Sequence, residues 1–150
     1  MTATGMLIFG YELGGPGDKL GWKVPTDAHG SPDLDWYNSD DPDEIGFGEQ
    51  AAAHLLTIKG ETPTRKGDDH DLAEDLWGVH LVRYGSDAQE RWLLVSYRTN
   101  VSDRETAQPV DLAELVVHER EATVRLQTAL DALGMPEPAK PQWYQAAHEL

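Results

Sequence analysis

Cysteine is absent from this 150-residue chain. Disulfides, cysteine-ligated zinc or iron–sulfur centres and a cysteine nucleophile are thereby excluded. Basic residues are scarce: 12 Lys and Arg stand against 27 Asp and Glu, a formal net charge of −15. A phosphate backbone and an anionic membrane surface would both be repelled, so direct nucleic-acid binding and membrane association are disfavoured. A basic protein surface, a cationic ligand or a metal ion is favoured. Long hydrophobic runs are also missing. The N-terminal run Met6-Leu7-Ile8-Phe9 has no basic residue before it and is too short for a signal peptide or a membrane span. The expected compartment is the cytoplasm. Phenylalanine occurs only twice, but five Trp, five Tyr and a 39% apolar fraction are enough for one ordinary core. A single domain over 1–150 follows, with loop-rich segments at 14–40 and 60–72 and a tail at 135–150.

The stretch 76–99 organises the chain. Val79, Leu81, Val82 and Tyr84 form one β-branched or aromatic run, and Trp92, Leu93, Leu94, Val95 and Tyr97 form a second. The polar turn 85–90 between them predicts an antiparallel hairpin pairing Leu81 with Leu94. Residues 6–13 predict a first strand, with Leu7, Phe9 and Tyr11 on one face and Met6, Ile8 and Gly10 on the other. Gly14-Gly15-Pro16-Gly17 stops it. Without a GKS, a GKT or a GxGxxG run, that turn is a strand end and not a phosphate loop.

Asp41 as N-cap, Pro42 at N1 and Glu44 at N3 predict a helix that carries Phe47, Ala51, His54 or Leu55, and Ile58, and stops at Gly60. Gly46 and Gly48 loosen its first turn. Leu72, Leu76 and Trp77 suggest a short helical turn before the hairpin. Asp111 and Glu114 open a second long helix, with Leu112, Leu115, Val116, Ala122, Leu126, Ala129, Leu130 and Leu133 as its apolar stripe. The polar run His118-Glu119-Arg120-Glu121 predicts a break near His118, and Gly134 and Pro136 close the exit. The tail residues Trp143 to His148 suggest one more amphipathic turn. The fold class is α+β: a small, mainly antiparallel sheet, built from the N-terminal strand and the central hairpin, with two or three helices packed on one face.

Several short motifs are held in common with one group of proteins. GYELGG after the first strand, GWKV at 21–24, the DxDW loop at 33–36, F-x-x-Q-A-x-x-x-L-L from Phe47, and the late PVDLAELV and RLQTALDALGM stretches carry the resemblance. Through these the chain resembles an uncharacterised family of small acidic proteins from actinomycetes and their phages. The resemblance implies such a source and supplies no activity, cofactor or catalytic residue.

Two acidic clusters are the candidate sites. No Lys or Arg occurs between Val24 and Ile58, while Asp33, Asp35, Asp40, Asp41, Asp43, Glu44 and Glu49 do. Asp33, Asp35, Asp41 and Glu44 match positions 1, 3, 9 and 12 of a calcium loop, but Tyr37 and Asn38 fail positions 5 and 6. A partner-binding surface of Asp33, Asp35, Trp36, Tyr37 and Asp40 combines charge steering with an aromatic anchor. Asp68, Asp69, His70 and Asp71 offer hard oxygens and one imidazole for a divalent metal, against the plainer reading of a solvated acidic turn. The remaining histidines show no HExxH spacing, and no serine sits in a GxSxG context. No catalytic residue and no cofactor are assigned, and the oligomeric state is left open. The leading expectation is a small acidic binding protein that docks a basic surface of a protein partner, with nucleic-acid mimicry as a strong form. A metal-dependent enzyme using the Asp68 cluster is the alternative.

Overall fold

The computed structural model describes residues 3–16, 21–84, 91–102, 109–136 and 140–149. In chain order these form β1 (Ala3–Gly14), α1 (Phe47–Ile58), α2 (Asp68–Trp77), β2 (His80–Tyr84), β3 (Arg91–Ser102), α3 (Leu112–Ala132) and β4 (Gln142–Glu149). The four strands make one antiparallel sheet in the order β2-β3-β1-β4. With three helices this is the expected α+β arrangement. The hairpin register pairs Leu81 with Leu94 as predicted; its turn, 85–90, lies outside the described residues.

Period-2 alternation decides which side of the sheet each residue serves. Phe9, Tyr11 and Leu13 of β1 join Leu81, Trp92 and Leu94 in the main core, where α1 and α3 contribute Phe47, Leu55, Leu126 and Leu130. Ile8, Val82, Leu93 and Val95 point the other way and are also buried, with Tyr84 and Tyr144 packed on them. Edge strands in a flat four-stranded sheet would lie about 14 Å apart. Here β2 and β4 approach each other directly, so the sheet is rolled and its concave side closes over this second cluster.

The roll passes through a bulge. β1 pairs Phe9 with Tyr97 but Gly10 with Val95, leaving Ser96 as the extra residue. A Cβ on Gly10 would stand 2.0 Å from the Leu94 carbonyl oxygen. Only glycine fits there. On the concave side Glu12 accepts hydrogen bonds from the Tyr84 hydroxyl at 2.8 Å, from Lys23 at 3.0 Å and from Arg91. Burial opposes its charge, but Tyr84, Lys23 and Arg91 together hold the carboxyl below its usual range.

Five local expectations need correction. The helix expected from Asp41 starts at Phe47, with Gly46 as N-cap. Glu44 takes a left-handed φ of 57°, and the Asp41 carboxylate accepts instead from the backbone N–H of Asp43 and from Arg65. A tertiary ion pair therefore claims the residue that local sequence offers as a cap. α2 occupies 68–77, so the loop-rich segment ends earlier than 72. α3 runs unbroken from 112 to 132, because His118 stacks on Tyr97 and Glu119 accepts the Trp143 indole N–H, giving the polar run partners on the sheet. Leu112 and Val116 leave the apolar stripe and face solvent. The tail is a strand, with Trp143 on the main core and Tyr144 on the concave side, the alternation of a β-strand and not of a helix.

Two substitutions separate local from central effects. Asp111 accepts from the N–H groups of Ala113 and Glu114, so Asp111→Ala is expected to cost about 1 kcal/mol. Gly10→Ala forces backbone apart at the sheet centre and is expected to cost more than about 2 kcal/mol. Urea denaturation of both variants checks the order. Equal midpoints would refute the role given to Gly10.

Candidate functional site

The acidic loop is held by its aromatics. Trp36 donates its indole N–H to the Leu133 carbonyl at 2.8 Å and stacks on His54, with Phe47 beside it. Tyr37 packs edge-on against Phe47. Both rings are thus engaged within the molecule, pinning the loop to the C-terminal end of α3. Asp33, Asp35 and Asp40 remain exposed around them. The aromatic anchor expected of Trp36 is already used in folding; the charges are not.

The Asp68 cluster divides in the same way. Asp69 is buried, 2% exposed, and accepts from the Thr64 N–H, the Thr64 hydroxyl and the Arg65 N–H. It ties down the turn before α2. Asp68 and Asp71 are exposed on the helix surface, while His70 turns inward toward Glu49 and His80. Among the described residues no three His, Asp or Glu side chains converge to hold a metal ion. Asp69 fails as a ligand because its oxygens already serve backbone donors.

His70 lines an open cleft of 470 Å³ with Glu49, Arg83 and Trp92. The His70 Nε2 lies 4.0 Å from Glu49, beyond hydrogen-bond range but close enough to favour the carboxylate. His70 first, and then the backbone N–H groups of Glu49 and Gly46, hold Glu49 below its usual range against burial. Glu49 is the N3 residue of α1 and takes the capping part expected of Glu44. His80 is the unusual neighbour. Its Nδ1 is 3.0 Å from Glu74 but off the direction a hydrogen bond needs, so it is buried without a hydrogen-bonding partner. Burial, with Arg98 and His70 nearby, pushes its pKa down to about 4.

The largest unexplained surface is on α3. Val110, Leu112, Val116, Val117 and Val124 are between 52% and 73% exposed. At 100° per residue, Leu112, Val116, Glu119, Thr123 and Gln127 fall within an arc of about 80°. Val117 and Val124 sit farther round, opposite the core. Exposed β-branched residues lower helix propensity without gaining burial, so folding does not account for them. The arc runs into a groove of 430 Å³, walled by Glu119, Thr123 and Gln127 from α3 and by Phe9, Pro141 and Trp143 from the sheet side. Exposed acids Asp111, Glu114, Glu121 and Asp131 flank the helix. The sequence signal was present in Val117 and Val124, which lie off the apolar stripe. The groove had none, because it exists only once β4 places Trp143 beside Glu119.

Comparison with protein-family models, with curated proteins and with solved structures finds no match. Among the described residues no helix is long and apolar enough to cross a membrane.

The His80 environment gives a pH dependence of defined sign. Its pKa is 6.5 in the unfolded chain and about 4 in the fold. The unfolded state therefore binds the proton first, and stability is lost as pH falls through this window. Glu12 and Glu49, lowered from 4.5, contribute their loss only below that value. His80→Asn is expected to flatten the decline in melting temperature above about pH 4.5 while leaving the steeper decline below it. Parallel slopes for the two chains would show that His80 is not the titrating group.

Proposed function

We propose that this chain is a non-enzymatic binding protein that docks a basic surface of a protein partner, with the outer face of α3 as the contact. The observation that carries this reading is the set of exposed apolar residues on the outside of α3, Leu112 and Val116 on one arc and Val117 and Val124 farther round, which nothing in the fold explains. A net charge of −15 favours a basic partner and opposes a second copy of the chain, which would bring an equal charge of the same sign. A helix face with apolar residues at i and i+4 suits an amphipathic segment laid along it. Asp33, Asp35 and Asp40 contribute steering from the loop at the far end of α3, in place of the Trp36 anchor. A nucleic-acid-binding protein is one source of such a basic surface. The metal-enzyme alternative loses one of its four candidate ligands, since Asp69 is committed to the turn at 64–65.

The probe is a synthetic amphipathic helix of Leu and Lys, measured by calorimetry and stopped-flow at two salt concentrations. Replacing Leu112, Val116 and Val117 by Ser leaves net charge unchanged and is expected to weaken binding at least about tenfold, mainly through a faster off-rate. Replacing Asp33, Asp35 and Asp40 by Asn is expected to slow association, with the effect fading at high salt. Thermal melts of both variants should match the native chain, because every altered side chain is exposed. If the serine variant binds the peptide as tightly as the native chain, the association is diffuse electrostatics and α3 is not the site.

A further inference from the structure

We infer that the groove between α3 and residues 140–143 receives an arginine side chain. The physiological source of that side chain rests on the docking reading above; the pocket chemistry does not. The walls are apolar on one side and polar on the other, where, among the described residues, Glu119 is the one carboxylate beside Thr123 and Gln127. Trp143 is fixed by Phe9, with ring centroids 5.0 Å apart, and by an edge contact with Tyr97 at 5.5 Å. Its indole N–H donates to Glu119 Oε1 at 2.6 Å. That charge-assisted bond locks the carboxylate in the groove wall and couples its position to the ring.

A long cation suits this combination. The methylene stem lies against Pro141 and the ring edges while the head meets the Glu119 carboxylate. Arginine fits better than lysine, because a planar guanidinium donates in a fork to a carboxylate while an ammonium meets it as a point charge. A single carboxylate makes no metal site. Lys140 is exposed and lines the same groove, so its positive charge opposes an incoming cation and limits affinity. Access is continuous with the docking face. Glu119 lies seven residues beyond Leu112 on the same arc, about 10 Å along the helix. A segment laid on Leu112 and Val116 reaches the groove with its next side chain but one.

The test uses the full chain labelled with nitrogen-15, following the Trp143 indole N–H, assigned through Trp143→Phe. The probes are N-acetylarginine methylamide and its neutral citrulline counterpart, which has nearly the same shape. The arginine probe is expected to shift the Trp143 signal saturably, with citrulline at least about tenfold weaker. Glu119→Gln keeps an acceptor for the indole and is expected to lose arginine binding about tenfold, while Lys140→Ala gains. Equal binding of citrulline, undiminished binding to Glu119→Gln, or an unmoved Trp143 signal at the solubility limit of the probe each overturns the inference. The Leu–Lys helix, remade with one arginine, keeps the two readings apart. Docking that ignores Glu119→Gln removes the pocket and leaves the surface. Arginine binding with no helix docking leaves the pocket and removes the surface.

Discussion

The pairing of β1 on both its edges is the constraint from which the rest of the structure follows. β1 lies between β3 and β4 over most of its length, so its backbone donors and acceptors are shared between strands from distant parts of the chain. At Gly10 the neighbouring strand comes so close that no side chain is possible. The bulge beside it lets the sheet bend, and the bend brings β2 to β4. Without that roll, Ile8, Val82, Leu93 and Val95 would form a bare apolar face, since α1 and α3 pack into the main core on the other side. Glu12, Tyr84 and Arg91 close the same concave end with hydrogen-bonded charge. Breaking any one partner there leaves buried polar groups unpaired, a larger penalty than the pair's own net contribution.

That arrangement also determines what α3 is free to do. The helix must present Leu115, Ala122, Leu126, Ala129 and Leu130 to the core, and this fixes its rotation. The opposite face is then solvent-facing by necessity, and ordinary helix composition would make it charged. It instead carries Val116, Val117 and Val124 among Ala113, Arg120 and Glu121. His118 and Glu119 mark where helix meets sheet, through Tyr97 and Trp143, so the polar residues are inside the junction and the apolar ones outside. The inversion is local, and it is the feature that separates this surface from a plain solvated helix.

What could be read from sequence followed the range of the interactions involved. The first strand's two faces and the 79–97 hairpin were legible because period-2 alternation is a local signal. So was the Asp111 cap, whose partners are two and three residues away. Asp41 misled because Arg65, distant in the chain, competes for its carboxylate. The tail misled because a short aromatic stretch carries no clear period until it has a strand to pair with. In α3 the core face was legible through Leu115, Ala122, Leu126, Ala129, Leu130 and Leu133, but its extent was not: Leu112 and Leu130 project at the same angle, and only packing shows that the first is bare and the second buried. Of the candidate site, the acids of the loop were legible and the engagement of Trp36 was not, because the Leu133 carbonyl that receives its N–H is 97 residues away.

Charge and apolar contact act over different distances, and the fold holds them in fixed relation. Exposed carboxylates are screened beyond about 8 Å at physiological ionic strength, so they influence encounter more than residence. Apolar burial works only at contact and governs how long a complex lasts. In the proposed docking mode the loop acids serve the first role and the α3 valines the second. The Trp36 hydrogen bond to Leu133 ties the loop to one end of the same rigid helix whose other end carries Leu112, about 30 Å away. In that mode the inward-turned Trp36 indole, no contact itself, keeps the loop acids in register with the contact face.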